Sequence, residues 1–197
     1  NQHLKNITLF DTDGVSMYTT RRASSTPASR RLAQEMTRLS SGKITNFFKD
    51  EQNVLFLRVL SPMYYREKKI GFFEAEYHAT PFTRITKKYT NLGETGEIIL
   101  AQKNSAGDAV FIAPLRFDPD AALTRAVSKE AKNNLILSSI NENEAVFSDN
   151  KTVDYRGAYV FFFFLYINFL QWGITVKIDR QEALAPMYTI KKNILII

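Results

Sequence analysis

Ala158-Tyr-Val-Phe-Phe-Phe-Phe-Leu-Tyr-Ile-Asn-Phe-Leu-Gln-Trp-Gly-Ile-Thr-Val-Lys-Ile-Asp179 is the stretch whose reading decides the fold. Its apolar run is shorter than the roughly 20 residues a membrane-spanning helix needs. It is also richer in aromatic and β-branched side chains than a helix favours. Asn168, Gln171 and Gly173 interrupt it where a turn would sit. It therefore reads as two strands, 158–167 and 173–178, joined as an antiparallel hairpin. The first strand is apolar on both faces, so a central place under a covering layer is expected for it. After Asp179 the run Arg180-Gln-Glu-Ala-Leu-Ala-Pro-Met-Tyr188 starts a short polar helix, and Asn193-Ile-Leu-Ile-Ile197 closes the sequence. That apolar end reads as the first turns of a transmembrane helix, with an edge strand pairing back into a sheet as the alternative.

Composition narrows the classes. The chain has 197 residues, enough for one large domain or two small ones with a real core. Hydrophobic residues make up 45% and charged residues 23%, which argues against disorder. There is no cysteine, so thiol catalysis, disulfides and cysteine-based zinc sites are excluded. His3 and His78 are the only histidines, which leaves little for metal binding or histidine catalysis. The chain starts with Asn and shows no signal-peptide pattern, so it reads as an excised piece.

The net charge of +6 is uneven: residues 1–90 hold 15 basic against 8 acidic side chains, and residues 91–197 hold 11 against 12. Nucleic acid is the partner such a balance first suggests. The basic residues, however, come as scattered pairs such as Arg21-Arg22, Arg30-Arg31, Lys68-Lys69 and Lys87-Lys88 with no binding motif around them. Solvated faces explain them better, and no nucleic-acid partner is expected.

Outward from the aromatic stretch, the same plan recurs. Ile7-Thr-Leu-Phe10 and Val15-Ser-Met-Tyr-Thr-Thr20 flank Asp11-Thr-Asp-Gly14 as a hairpin with an Asx/Gly turn. Ser24-Ser-Thr-Pro27 offers a helix start, and Leu32, Met36 and Leu39 keep helical spacing up to Ser41-Gly42. Ile44, Phe47 and Phe48 continue as a second short segment. Strands are expected over 53–60 and 70–77, with 62–69 as a polar connection, and a helix over 80–92. Strands at 97–102 and 109–113 follow around the turn Asn104-Ser-Ala-Gly-Asp108, then a polar, mostly helical or looped stretch over 118–140. Val146-Phe147 and 153–155 read as short strand pieces. Residues 57–82 and 160–187 echo one another: apolar strand, polar turn, Gly-led strand, and a helix start with Pro81 or Pro186. Two modules, each an antiparallel sheet with helical cover in an α+β fold, are expected to form separate sheets joined by helix 80–92.

Two motifs invite chemistry. Leu9-Phe-Asp-Thr-Asp-Gly-Val15 resembles the first motif of haloacid-dehalogenase-type phosphatases, which would make Asp11 the nucleophile and Asp13 the general acid. That chemistry also needs a late magnesium-binding acidic pair, and no Asp-Asp or Gly-Asp-x-x-x-Asp follows. A plain turn is the preferred reading. No Glu or Asp lies twelve residues on to close a calcium loop either. Gly93-Glu-Thr-Gly-Glu97 follows a helix and precedes a strand, the reverse of a phosphate-cradling loop, and reads as a helix stop.

In their order, Phe10-Asp-Thr-Asp-Gly14, Gly93-Glu-Thr-Gly-Glu97, Asp154-Tyr-Arg-Gly157 and Trp172-Gly-Ile-Thr-Val-Lys-Ile-Asp-Arg-Gln-Glu-Ala183 resemble the extracytoplasmic double Cache, PAS-like sensor domains of bacterial receptors. The resemblance spans nearly the whole chain. It implies a membrane-distal module over 1–80, a connecting helix and turn over 81–96, a membrane-proximal module over 97–187 and the start of a transmembrane helix over 188–197. It also implies a small ligand bound under the helical cover of the distal module. The paired aromatic and acidic residues of the family's amino-acid-binding subset have no clear match.

From the residues themselves, Tyr18, Arg58, Tyr64 and Tyr65 are candidates to line a distal pocket, and Arg116, Tyr155 and Arg156 a proximal one. An arginine on a sheet facing a cavity is a ready clamp for carboxylate or phosphate. The expected function is ligand sensing in the periplasm by an inner-membrane receptor of histidine kinase or cyclic-dinucleotide enzyme type. No catalysis, cofactor or metal is expected in this region, and the full-length receptor has room for a homodimer. The alternatives are a phosphatase using Asp11 and a structural interaction module without ligand.

Overall fold

The computed structural model describes residues 3–20, 29–39, 42–131, 134–141 and 152–194. The chain divides into two compact units, Asn1–Pro81 and Phe82–Ile197. Each is built on one five-stranded antiparallel sheet.

In the first unit the strands are β1 (Leu4–Phe10), β2 (Ser16–Thr19), β3 (Ile44–Lys49), β4 (Leu55–Tyr65) and β5 (Lys68–His78), in the order β2-β1-β5-β4-β3. Helix α1 (Arg30–Arg38) covers one face, with Leu32 and Met36, and Leu39 just past its end, packed on Phe10, Leu60 and Phe72. Ser29 caps it, its hydroxyl accepting from the Leu32 N–H. The helix start read at residues 24–27 lies outside the described residues.

Three segments differ from the sequence reading. The short segment around Phe47-Phe48 is strand β3, paired with β4 from Ile44↔Leu60 to Lys49↔Leu55. The connection expected over 62–69 is instead the end of a long hairpin, in which Tyr65 pairs with Lys68. Arg66 and Glu67 make its two-residue turn with φ of 45° and 65°, the left-handed pair that suits strand twist. Pro62 is tolerated in β4 because β3 stops opposite Leu60, so no ladder bond is demanded of it on that side. The helix expected over 80–92 ends early as α2 (Thr80–Thr86), and Asn91 and Gly93 then take left-handed conformations that carry the chain away from helix.

The second unit contains β6 (Glu97–Lys103), β7 (Ala109–Phe111), β8 (Ala126–Val127), β9 (Val160–Ile167) and β10 (Trp172–Asp179), ordered β8-β7-β6-β10-β9. Helix α3 (Leu135–Asn141) packs on β6, β9 and β10, over a core of Ile99, Phe111, Leu135, Ile136, Phe162 and Phe164. Gly173 makes this approach feasible. A Cβ there would sit 2.4 Å from the Ser139 hydroxyl and 2.7 Å from the Ser139 carbonyl oxygen. The aromatic hairpin forms as read, but β9 is the edge strand and β10 the inner one. Only one face of β9 is covered: Val160, Phe162 and Phe164 are buried, while Phe163 and Leu165 are exposed. Apolar composition marks a strand's preference for burial and does not say which strand supplies hydrogen bonds on both sides.

Helix α4 (Arg180–Ile194) continues directly from β10 and contains Pro186. No helix among the described residues is long and apolar enough to cross a membrane. The strand piece read at Val146-Phe147 lies outside the described residues, and Val153 makes only isolated bridges to Asn134 and Tyr159.

Candidate ligand-binding sites

Strand register builds a polar face in the first unit. Asn6 lies opposite Glu76, Thr8 opposite Glu74 and Phe10 opposite Phe72 across β1 and β5. Across β4 and β5, Arg58 faces Glu76 and Leu60 faces Glu74. Directly paired residues share a face, and Phe10, Leu60 and Phe72 contact α1, so the whole set lies on the helix-covered side. Asn6, Thr8, Glu74 and Glu76 are buried there. Arg58 Nε lies 2.6 Å from Glu74 Oε1, its Nη2 lies 3.4 Å from Glu76 Oε1, and its guanidinium rests 4.4 Å from the Phe48 ring centre. From α1, Glu35 accepts a 3.0 Å hydrogen bond from Asn46 Nδ2. Asn6 donates to Thr8 and accepts from Thr19 and Thr20. At the Phe72 end of this face is a cavity of about 260 Å³ lined by the β1–β2 turn at Thr12, Asp13 and Gly14, by α1, and by Lys69 and Phe72 of β5; Phe72 is the residue it shares with the face.

Of the residues expected to line a distal pocket, Arg58 is on this face. Tyr18 is 56% exposed and pairs with Leu9, which places it on the opposite face of the sheet. Tyr64 and Tyr65 are 49% and 61% exposed at the far end of the β4–β5 hairpin. The three tyrosines are not brought to Arg58.

In the second unit the expected residues do meet, around one that the sequence reading passed over. Lys177 of β10 is wholly buried, its ammonium 2.8 Å from Asp154 Oδ2 and 3.3 Å from Glu97 Oε2. Tyr155 donates its hydroxyl to Glu97 at 2.9 Å, and the Arg116 N–H donates to the same carboxylate. Arg116 also donates from its guanidinium to the Gly93 and Gly96 carbonyls and lies over the Tyr89 ring. Arg156 bridges Asp154 and Asp179. Burial by itself would push the Asp154 carboxyl up, but the hydrogen bonds and charges of Lys177 and Arg156 outweigh it and hold it below the usual carboxylate range. Burial, with the Glu97 charge beside it, raises the Tyr155 hydroxyl well above an ordinary phenol. The signal for Lys177 was its place in Ile174-Thr-Val-Lys-Ile178, where strand alternation puts it on the same face as Thr175.

No family model matches the chain, and no curated protein matches it in sequence. Solved structures match its fold. The extracellular domain of mmHK1S-Z2, named as a histidine kinase, aligns with a TM-score of 0.65 at 10% identity, over 93% of this chain and 78% of that one. The ligand-binding domain of the Pseudomonas aeruginosa PAO1 amino acid chemoreceptor PctB, in complex with L-Gln, gives 0.56 at 17% identity, over 98% and 76%. The ligand-binding domain of Mlp24 with asparagine gives 0.54 at 14% identity, over 92% and 71%. The fold is that of receptor ligand-binding domains. The likeness is one of fold, two α+β modules following one another along the chain. The helix-covered sheet faces carry both polar clusters described above.

Proposed function

We propose that this chain is the extracytoplasmic ligand-sensing region of a transmembrane signalling receptor, with the small-molecule site under α1 in the first unit. The observation that carries the reading is the buried polar face of Asn6, Thr8, Arg58, Glu74 and Glu76 beside a cavity. Packing alone would favour apolar residues there, because buried polar and charged groups cost free energy unless they are engaged. Hydrogen-bonding groups converging at the edge of an apolar core are what a small polar ligand needs. Neighbours of this fold hold asparagine and L-Gln, so molecules with an ammonium and a carboxylate are the first class to screen. The first unit is then the membrane-distal one, the second leads to the membrane through α4, and the full-length receptor works as a homodimer anchored by flanking helices.

The test is a thermal-shift screen against amino acids and other small metabolites, since a ligand that binds only the folded state raises the unfolding temperature. A hit that Arg58→Ala or Glu74→Gln abolishes supports the reading. Hits that are indifferent to both variants, or a complete absence of hits, count against a site under α1.

The phosphatase alternative loses ground at Asp11. Its Oδ1 accepts from the Asp13 and Val15 N–H groups at 3.0 and 2.8 Å, closing the β1–β2 turn. Among the described residues no cluster of His, Cys, Asp or Glu is arranged to hold a metal ion. Our reading stays with a region without catalysis of its own, which the likeness in fold to receptor sensor domains supports. Turnover of a generic phosphoester with magnesium, abolished by Asp11→Asn, would reverse that reading.

A further inference from the structure

We propose that the second unit contains an ammonium-binding site whose occupant is the chain's own Lys177. The Lys177 ammonium is surrounded by Asp154 at 2.8 Å, Glu97 at 3.3 Å and Asp179 at 4.0 Å. The Phe117 and Tyr155 rings add aromatic walls, each with its centre 5.4 Å away. Carboxylates below and aromatic faces beside are the chemistry that recognises an organic cation. Three carboxylates face Lys177, and among the described residues one other cation, Arg156, pairs into the group, bridging Asp154 and Asp179. Without Lys177 the cluster carries an excess of buried negative charge, so it demands a cation.

The walls have further partners besides Lys177. Asp154 accepts from the Arg156 and Ala158 N–H groups and from Arg156 Nε. Glu97 is held by the Arg116 N–H and the Tyr155 hydroxyl. The site is therefore a preformed receptacle into which β10 inserts a cation on a four-carbon stem. While that cation is in place the unit takes up no free amine. It also pins β10, the strand that runs into α4. This proposal concerns the second unit alone and does not rest on a ligand beneath α1.

The ligand class follows from the stem. Lys177→Ala keeps the Cβ and removes three carbons and the ammonium, so the space left fits n-propylammonium. The experiment is thermal unfolding of the full chain as wild type, Lys177→Ala and Lys177→Met, in n-propylammonium chloride and in potassium chloride at equal ionic strength, with n-propanol as the uncharged control. The expected result is a midpoint for Lys177→Ala that rises with the logarithm of n-propylammonium concentration. Potassium and propanol should leave it unmoved, and in the Lys177→Ala/Asp154→Asn double variant n-propylammonium should no longer raise it. Wild type and Lys177→Met, whose side chains fill the space, should not respond. If Lys177→Ala does not fold by itself, recovery of its far-ultraviolet circular dichroism on refolding with n-propylammonium replaces the midpoint. No amine-specific gain in either form, or an equal gain in wild type or Lys177→Met, would overturn the proposal.

Discussion

Lys177 Nζ lies 2.8 Å from Asp154 Oδ2, and both side chains are entirely out of water. The pair ties the inner strand β10 to the loop that precedes β9. Removing one partner of such a pair leaves a buried charge uncompensated, which costs roughly 3–5 kcal/mol. Asp154→Asn should lower the stability of the second unit by about that much in urea unfolding. A loss below about 1 kcal/mol, the range of exposed pairs, would show that water reaches the cluster.

The same carboxyl sets a pH dependence. Asp154 titrates below its ordinary value of 3.8 in the folded chain, burial being outweighed by the hydrogen bonds and charges of Lys177 and Arg156. As pH falls, the unfolded chain takes up this proton before the folded one does. The stabilisation is therefore complete above the ordinary carboxylate value and is lost as pH drops through and below it. The urea midpoint should stay flat on this account between about pH 5 and pH 7 and decline below about pH 4. Asp154→Asn should show a shallower acid decline than wild type, and identical slopes would assign the loss to other carboxyls.

Gly173 is the contact point between β10 and α3. An alanine Cβ would meet the Ser139 hydroxyl at 2.4 Å and the Ser139 carbonyl oxygen at 2.7 Å, and backbone cannot swing aside as a side-chain tip can. Gly173→Ala should cost about 1–3 kcal/mol, the usual range for overpacking. Adding Ser139→Ala should restore only part of it, because the carbonyl remains. Full restoration would place the clash on the hydroxyl alone.

Glu182 in the first turn of α4 accepts hydrogen bonds from the Glu94 N–H at 2.7 Å, the Thr95 N–H at 2.8 Å and the Thr95 hydroxyl. The Thr95 hydroxyl accepts in turn from the Asp179 N–H, so the exit from β10 is latched to residues 94–95. Those hydrogen bonds, with the Thr95 hydroxyl first, hold the Glu182 carboxyl below its usual range. In Glu182→Ala the amides of Glu94 and Thr95 should exchange with deuterium markedly faster, while β6 and β10 keep their protection. In a full-length receptor the same variant should alter output and leave ligand affinity unchanged. Unaltered exchange at both amides would rule the latch out.

That Arg58, Arg116, Tyr155 and Arg156 are candidates was legible, because a charged or phenolic side chain in or near an apolar strand stands out in one dimension. The placement of Tyr64 and Tyr65 was not. They belonged to a stretch that read as a polar connection, and the left-handed pair Arg66-Glu67 instead extends the hairpin and leaves both rings exposed near its turn. Strand β3 was missed for a related reason: six residues with two adjacent phenylalanines become a strand only because β4 offers an edge to pair with.

Alone, the sequence determined what depends on near neighbours. The hairpin around Asp11–Gly14, the paired strands of the aromatic stretch, the helical spacing of Leu32 and Met36, and the two-module plan follow from local periodicity and turn chemistry. Only the tertiary structure decided which strand lies innermost and which charges meet. β9 and β10 are both rich in apolar residues, and their order in the sheet depends on where β6 pairs. Glu97, Asp154 and Lys177 are far apart along the chain, and each by itself reads as an ordinary solvated charge. They form one buried group because antiparallel register sets Lys177 opposite Glu97 and the loop before β9 brings Asp154 against them. Hydrophobic alternation is a property of each residue and its neighbours, whereas register and strand order are properties of pairs that the chain's own folding brings together.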